Sequence, residues 1–275
     1  MSAAAASFSA ALECFEKCTF GSEGLYRKSR INYSVDIAVA LGNIGAVFWR
    51  TGKTKEAISS LEKCLRFWEI VCSAKGKSST VCGERASTLY SIGLARIIRY
   101  EYAEAIEALT CAKEILLESY GKSHVEIARV EDALGKCFLI EGNVTKAMEY
   151  HSRVLKTKTS LLGKGHPSVL VTKLNLAAVF RVTQELNKAI SIYREVLSAQ
   201  KLSFYGETDE NTRQQLTSDI GTTLRLIGEA QKEFTNNNTN STERITPREE
   251  KKPTREIGLA AGCDWDLYHS PSAKE

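Results

Sequence analysis

Two histidines in nearly identical surroundings are the first residues of this sequence that could do chemistry. His124 lies in GKSHVEIARVEDALGKCF, residues 121–138, and His166 lies in GKGHPSVLVTKLNLAAVF, which begins 42 residues further on. Two ligands of one metal ion must converge on it. Equivalent residues of a repeat are instead held about one repeat apart. The repeated context therefore favours two boundary residues between helices over a metal site.

Two other short motifs could bind a ligand, and both are incomplete. The sequence TGKT at residues 51–54 resembles the end of a phosphate-binding loop, but that motif needs a glycine where this chain has Val47. Cys14 and Cys18 lie four residues apart, without a second pair of ligands at zinc spacing. No HExxH, GxSxG or CxxC motif occurs. The sequence therefore predicts no catalytic residues, no metal, no cofactor and no enzyme activity.

The composition excludes several classes of protein. The 275 residues carry a formal net charge of +4, and no dense basic block precedes residue 244, which predicts no nucleic-acid partner. No apolar run approaches the roughly 18–20 residues that cross a membrane. Glu13 and Glu16 stand where a secretion signal would be basic or apolar. Eight cysteines in such a chain are typical of reduced thiols, so we expect a cytoplasmic protein without membrane insertion.

The elements that must position these residues form a repeat. The dipeptide Ala-Ile or Ala-Met occurs near the start of four similar segments, and its alanines are spaced 48, 42 and 42 residues apart: Ala57, Ala105, Ala147 and Ala189. A small residue stands twelve positions before each alanine: Gly45, Gly93, Gly135 and Ala177. Apolar residues at spacings of three and four around these marks predict a pair of helices in each unit, helix A and then helix B.

This pattern resembles the tetratricopeptide repeat. When the small helix-A residue is placed at position 8, the alanine falls at position 20, and Phe48, Phe138 and Phe180 fill the aromatic position 11. Arg96 departs from that position, and His151 departs from the apolar position 24. The period of 42 residues exceeds the usual length of about 34. Together with the Gly and His that follow helix B, it resembles the repeats of kinesin light chains and nephrocystin-like proteins.

The resemblance implies an all-α fold, a right-handed α-solenoid of stacked antiparallel helix pairs. Residues 1–35 are predicted to form a leading helix or N-terminal cap. Residues 36–234 are predicted to form the solenoid, with about four complete repeats and a terminal half-repeat. Residues 235–275 contain few large apolar residues and are predicted to be a disordered tail that ends in a short aromatic and acidic segment.

The resemblance also implies a binding site, the concave groove lined by the A helices. The groove positions of the repeat hold these residues: Asn43, Trp49, Arg50, Tyr90, Arg129, Lys136, Asn175 and Arg181. Light-chain repeats resemble this chain at Asn43 and Asn175, where an amide can donate to and accept from the backbone of a bound peptide. The four basic residues favour carboxylates. The resemblance thus predicts a scaffold or adaptor whose groove binds an extended, acidic peptide segment of a partner protein.

The tail contains a candidate ligand for the same groove. Trp265 lies between Asp264 and Asp266, and light-chain cargo peptides resemble a tryptophan flanked by acidic residues. The tail is therefore predicted as a self-ligand that competes with a partner. The alternative for the groove residues is that they are ordinary solvated side chains. Two other functions stay open: a regulatory sensor that binds a small ligand or peptide signal, and a structural subunit of a larger assembly.

Overall fold

The computed structural model describes residues 27–75 and 78–240 of the chain, and nine α-helices without a β-strand occupy those residues. In chain order the helices are α1 (Arg27–Arg50), α2 (Thr54–Lys75), α3 (Ser79–Ile98), α4 (Tyr102–Tyr120), α5 (Val125–Ile140), α6 (Val144–Leu162), α7 (Pro167–Val182), α8 (Leu186–Gly206) and α9 (Glu210–Asn240). The A helices of the repeat are α1, α3, α5, α7 and α9, and the B helices are α2, α4, α6 and α8.

The helices belong to two compact units, one that ends at Val130 and one that begins at Glu131. In the first unit α1 packs against α2, α2 against α3, and α3 against α4. In the second unit α6 packs against α7, α7 against α8, and α8 against α9. Within each unit these helices therefore pack against their neighbours in sequence, as stacked helix pairs do.

Close approach within the helix pairs of the first unit depends on a glycine. A Cβ atom built on Gly45 would lie 2.9 Å from Cγ of Leu61, and one built on Gly93 would lie 2.7 Å from Cγ of Leu109. In both pairs the glycine occupies position 8 of the repeat and the leucine occupies position 24. The leucine therefore follows its glycine by the same number of residues in each pair. The small residue therefore makes room for one side chain of helix B, and any larger residue must displace that side chain.

The turn between helix A and helix B has one backbone conformation in all four complete repeats. Gly52 and Gly142 have φ angles of 73° and 85°, which confirms the left-handed conformation predicted for these two glycines. Tyr100 and Gln184 occupy the equivalent turns with φ of 63° each, although neither is a glycine. A left-handed residue with a side chain costs about 1 kcal/mol, so the repeat geometry outweighs the local preference at these two turns.

The last helix packs its buried side chains on α8. Leu226 and Ala230 of α9 join Tyr193 and Val196 of α8 in one apolar cluster of the second unit. The helix continues to Asn240, within the segment predicted as a tail, and α1 begins at Arg27, within the segment predicted as a leading cap. The remainder of both segments lies outside the described residues. None of the described helices combines the length and apolar character needed to cross a membrane.

Candidate functional site

The predicted groove residues of α1 lie on an exposed face of that helix. Asn43 and Arg50 are exposed, and Trp49 is half-buried. Val39 and Val47 share the face, with 48% and 57% of their surfaces exposed. Residues 39, 43, 47 and 50 follow one another at helical spacings of four, four and three, so they form a continuous stripe. This α1 stripe therefore exposes an amide, a guanidinium and two apolar side chains on one face of the helix.

Tyr90 and Arg129, also in the first unit, form a buried pair. The guanidinium carbon of Arg129 lies 4.4 Å from the centre of the Tyr90 ring, in cation–π geometry. A guanidinium nitrogen of Arg129 lies 2.7 Å from the Glu126 carboxylate. Only 5% of the Arg129 surface is exposed. The charge that was predicted to attract an acidic peptide is therefore already neutralised by a neighbouring carboxylate.

A buried cluster of polar side chains occupies the second unit, around the carboxylate of Asp132. His151 Nδ1 lies 2.7 Å from one carboxylate oxygen, and Asn175 donates to the same oxygen at 3.2 Å. Lys158 and Thr172 donate to the other oxygen at 3.1 Å and 2.8 Å. These five residues come from α5, α6 and α7 and are all buried. We call them the Asp132 cluster; it joins three helices through one anion.

The electrostatics of the Asp132 cluster keep its carboxylate ionised. Burial alone would raise the pKa of Asp132, but the charge of Lys158 and the hydrogen bond from His151 outweigh burial and hold that pKa well below its usual range. Because the ionised carboxylate can only accept, Nδ1 of His151 carries the proton that it donates. Nε2 of that ring faces Gly135, where a built Cβ would lie 2.8 Å away.

Asn175 and Arg181, two groove residues predicted in α7, are engaged within the second unit. Asn175 is 1% exposed and belongs to the Asp132 cluster, and its side-chain oxygen has no hydrogen-bond partner in the described part of the chain. The guanidinium of Arg181 pairs with Glu229 at 3.2 Å and with Glu233 at 2.5 Å. Burial lowers the pKa of Arg181, but the hydrogen bond to Glu233, the charge of Glu233 and the interaction with Tyr193 together outweigh burial and raise that pKa. A peptide would have to displace these contacts to use either side chain.

Lys136 is the remaining predicted cation of the second unit. Its side chain is half-buried on α5, and its positive charge contributes to the lowered pKa of Asp132. The structure thus places the eight predicted residues in four situations. Asn43, Trp49 and Arg50 lie on α1, and Tyr90 and Arg129 form a buried pair. Asn175 and Lys136 lie in or near the Asp132 cluster, and Arg181 pairs with carboxylates of α9. Asp264, Trp265 and Asp266 lie outside the described residues.

The two histidines of the repeated motif stand at the starts of helices. His124 Nδ1 accepts from the Glu126 backbone N–H at 3.3 Å, and His166 Nδ1 accepts from the Ser168 N–H at 3.1 Å. Pro167 is the first residue of α7, where its missing N–H is not needed. Both rings therefore cap a helix, as boundary residues of a repeat do. Within residues 27–75 and 78–240, no group of three His, Cys, Asp or Glu side chains is placed to hold a metal ion.

The Asp132 cluster was missed in the sequence, although a signal for it was present. In α6 the buried stripe is Ala147, His151, Val154 and Lys158, and the spacings are those of one helix face. A lysine and a histidine on a core-facing stripe require a buried anion nearby. That anion, Asp132, lies on the preceding helix.

Comparisons with known proteins agree with this architecture. Two family models described as tetratricopeptide repeat match this chain, one over residues 37–75 and the other over residues 126–202. The crystal structure of BtubC (BKLC) from P. vanneervenii superposes with a TM-score of 0.59 at 14% identity, over 90% of this chain and 94% of that chain. The apo form of RapI gives a TM-score of 0.55 at 16% identity, over 86% of this chain and 80% of that one.

A third solved structure agrees with the resemblance to kinesin light chain repeats that the sequence indicates. It contains the nearly identical TPR-like repeats of a Podosopora anserina protein described as a kinesin light chain, and superposes with a TM-score of 0.50 at 17% identity, over 74% of this chain and 96% of that chain. Among curated proteins none matches this sequence. Residues 37–75 and 126–202 match the tetratricopeptide repeat, and the fold is similar to that of kinesin light chain-like repeats. The predicted all-α fold of stacked helix pairs is confirmed.

Proposed function

We propose that this chain is a non-catalytic protein-interaction module that binds an extended peptide segment of a partner protein. Tetratricopeptide repeats commonly serve as scaffolds for such contacts, which supports the general role. The main observation that supports a binding site is the α1 stripe, where Asn43 and Arg50 are exposed beside Val39 and Val47. The peptide chemistry that fits this stripe is an apolar side chain next to a carboxylate.

The amide of Asn43 suits the main chain of an extended peptide. It can donate to a carbonyl oxygen and accept from an N–H, so it engages the backbone whatever the side chains are. Arg50 lies two helical turns further on and can form a charge-assisted hydrogen bond with a carboxylate. The two valines between and beside them offer apolar surface of the kind that anchors a bound side chain. The preference for acidic peptides rests on Arg50 because its side chain is exposed, whereas Arg129 is buried beside Glu126.

The alternative of a small-ligand sensor has less support. Such a sensor would use an enclosed apolar pocket among helix-A side chains. A cavity of about 490 Å³ in the described residues is instead open to solvent and lined by exposed side chains of α2: Arg66, Glu69, Ile70, Ser73 and Ala74. A peptide-binding surface therefore agrees better with the side chains that the structure exposes.

The test is a peptide-display selection against the full-length chain, followed by affinity measurements on an enriched peptide. We expect the selection to enrich acidic, apolar peptides, and Asn43→Ala combined with Arg50→Glu to weaken binding by about tenfold to a hundredfold, the range for a lost charge-assisted hydrogen bond. Binding should also weaken as salt rises, because exposed charges are screened over about 8–10 Å at 0.1–0.15 M.

Lys63→Glu on α2 is the matched control, because Lys63 is also exposed but lies outside the α1 stripe. It should change the affinity by less than about twofold, the small effect typical of an exposed charge. If the Asn43 and Arg50 variant binds the enriched peptide as well as the wild type does, the α1 stripe is not the peptide site.

A further inference from the structure

A notch lies between α8 and the end of α9 in the second unit. Its volume is about 360 Å³, and it is lined by Asn187, Ile190, Ser191, Arg194, Gln231 and Phe234. Ile190 is buried and Phe234 half-buried, whereas Asn187, Ser191, Arg194 and Gln231 are exposed. The notch therefore has an apolar floor and a polar rim.

Arg194 is the charged residue of this lining, and its guanidinium differs from those of nearby arginines. Arg181 pairs with Glu229 and Glu233, and Arg225 pairs with Glu229. No carboxylate lies within ion-pairing distance of Arg194 in the part of the chain that the structure describes. An aromatic residue, a buried isoleucine and an available guanidinium form a site for a ligand that combines an aromatic ring with a carboxylate.

We propose that this notch binds the chain's own Asp264–Trp265–Asp266 segment. The indole of Trp265 supplies the aromatic ring for Phe234 and Ile190, and the flanking aspartates supply the carboxylate for Arg194. Trp265 is the one tryptophan that follows α9 in the sequence. The notch is separate from the α1 stripe, so this proposal does not depend on the proposed function.

The length of the intervening chain suits this contact. The helix α9 ends at Asn240, and 23 residues, 241–263, separate it from Asp264. A chain of 23 residues can span at most about 76–83 Å when fully extended. The notch lies only six to nine residues back along α9, or about 9–14 Å at the helical rise. Residues 241–263 are therefore long enough to bring the segment to the notch. Because the segment is covalently linked, its effective concentration at the notch is around the millimolar range.

The groove of the A helices is a less suitable place for the same segment. It was predicted from four basic residues, of which Arg129 and Arg181 already have carboxylate partners. A new carboxylate there would compete with Glu126 or Glu233 for a charge that is already neutralised. Arg194 has no such competitor in the described residues, so charge complementarity favours the notch.

The experiment measures binding of a labelled peptide with the sequence of residues 259–271 to full-length chains. The acceptor is the full-length Trp265→Ala variant, whose own segment has lost its aromatic anchor. We expect saturable binding to this variant and about tenfold weaker binding to the wild type, because the tethered segment occupies the notch at millimolar effective concentration. Adding Arg194→Glu to the acceptor should weaken binding at least about tenfold, since a charge-assisted contact becomes repulsive.

Two controls separate the notch from other binding surfaces. Lys156→Glu places the same charge reversal on an exposed residue of α6 and should leave the affinity within about twofold, as for an isolated surface charge. A peptide with Asp264→Lys and Asp266→Lys should regain affinity for the Arg194→Glu acceptor. The proposal is overturned if the original peptide binds the wild type and the Trp265→Ala variant with equal affinity. It is also overturned if adding Arg194→Glu to the variant leaves the affinity unchanged. Binding that is lost with Asn43→Ala and Arg50→Glu instead would assign the segment to the α1 stripe.

Discussion

The helix pairs of the first unit and the α5–α6 pair of the second unit use the same contact with different chemistry. In the first unit Leu109 covers Gly93, with Cγ 2.7 Å from the position of a built Cβ. In the second unit His151 covers Gly135, with Cε1 at 2.7 Å. The repeat therefore fixes where a side chain of helix B lies on helix A, and it leaves open whether that side chain is apolar.

The difference lies in what each side chain requires from its surroundings. A leucine needs only apolar neighbours, so the contact of Leu109 with Gly93 is stable wherever it is buried. A buried histidine needs a hydrogen-bond partner, and the ionised partner Asp132 in turn needs a cation. Lys158 supplies that cation at 3.1 Å. One histidine at position 24 is thus accompanied by a buried ion pair, which is stable only while all its members are present.

The substitution with the largest expected effect on stability is Asp132→Ala. Removal of the carboxylate leaves Lys158 as a fully buried cation, and His151 and Asn175 lose the acceptor that they share. We expect the free energy of unfolding to fall by about 3–5 kcal/mol, as for other buried ion pairs that lose one member. Chemical denaturation measures the total effect, and hydrogen exchange should locate the loss of protection in α5, α6 and α7.

Glu131→Ala is the control for this substitution. Glu131 pairs with Arg153 at 2.8 Å, but the arginine side chain is 53% exposed, so its loss should cost no more than about 1 kcal/mol. If Asp132→Ala is as mild as Glu131→Ala, the Asp132 cluster contributes little to stability and the contrast between the two units disappears.

The regular part of the fold could be predicted from the sequence, because its signals repeat. The interval between Gly93 and Ala105 recurs in every unit, so the helix pairs and their close contact follow from spacing alone. The engagement of Asn175 could not be predicted in this way. Its acceptor, Asp132, lies 43 residues earlier, and the distance between them depends on the register of α7 against α5. The neutralisation of Arg181 likewise depends on α9, whose sequence departs from the repeat.

A second comparison uses the glycines themselves, with alanine as the smallest possible change. Gly93→Ala brings a methyl group against Leu109, and Gly135→Ala brings one against His151. Both should destabilise by about 1–3 kcal/mol. We expect Gly135→Ala to cost more, because the His151 ring cannot move without losing its 2.7 Å contact with Asp132. Equilibrium denaturation of both variants gives the ranking.

Gly228 on α9 provides the matched control for these glycines. A Cβ built there meets no heavy atom within 4 Å, so Gly228→Ala should stabilise the helix by about 0.5–1 kcal/mol through propensity alone. Equal costs for Gly93→Ala and Gly135→Ala would mean that the hydrogen bond to Asp132 does not restrain the histidine.

The last prediction is a difference in acid sensitivity between the wild type and Asp132→Asn. The pKa of Asp132 is lowered in the folded chain, whereas in the unfolded chain it returns to about 3.9. Below that value the unfolded state binds a proton that the folded state does not bind. The stability that the lowered pKa contributes is therefore complete above about pH 5 and is lost as the pH falls. Since Asp132→Asn has no such group, the gap in unfolding free energy between the two proteins should narrow by up to about 1.4 kcal/mol per pH unit below pH 4.

The carboxylates of Asp209 and Glu185, whose pKa values are also lowered, are common to both proteins and cancel in this difference. The measurement is urea denaturation of both proteins between pH 5 and pH 2.5, a range in which histidines are protonated in the unfolded chain throughout. Parallel stability curves over this range would show that the Asp132 carboxylate is not held ionised by Lys158 and His151, and the electrostatic account of the cluster would be wrong.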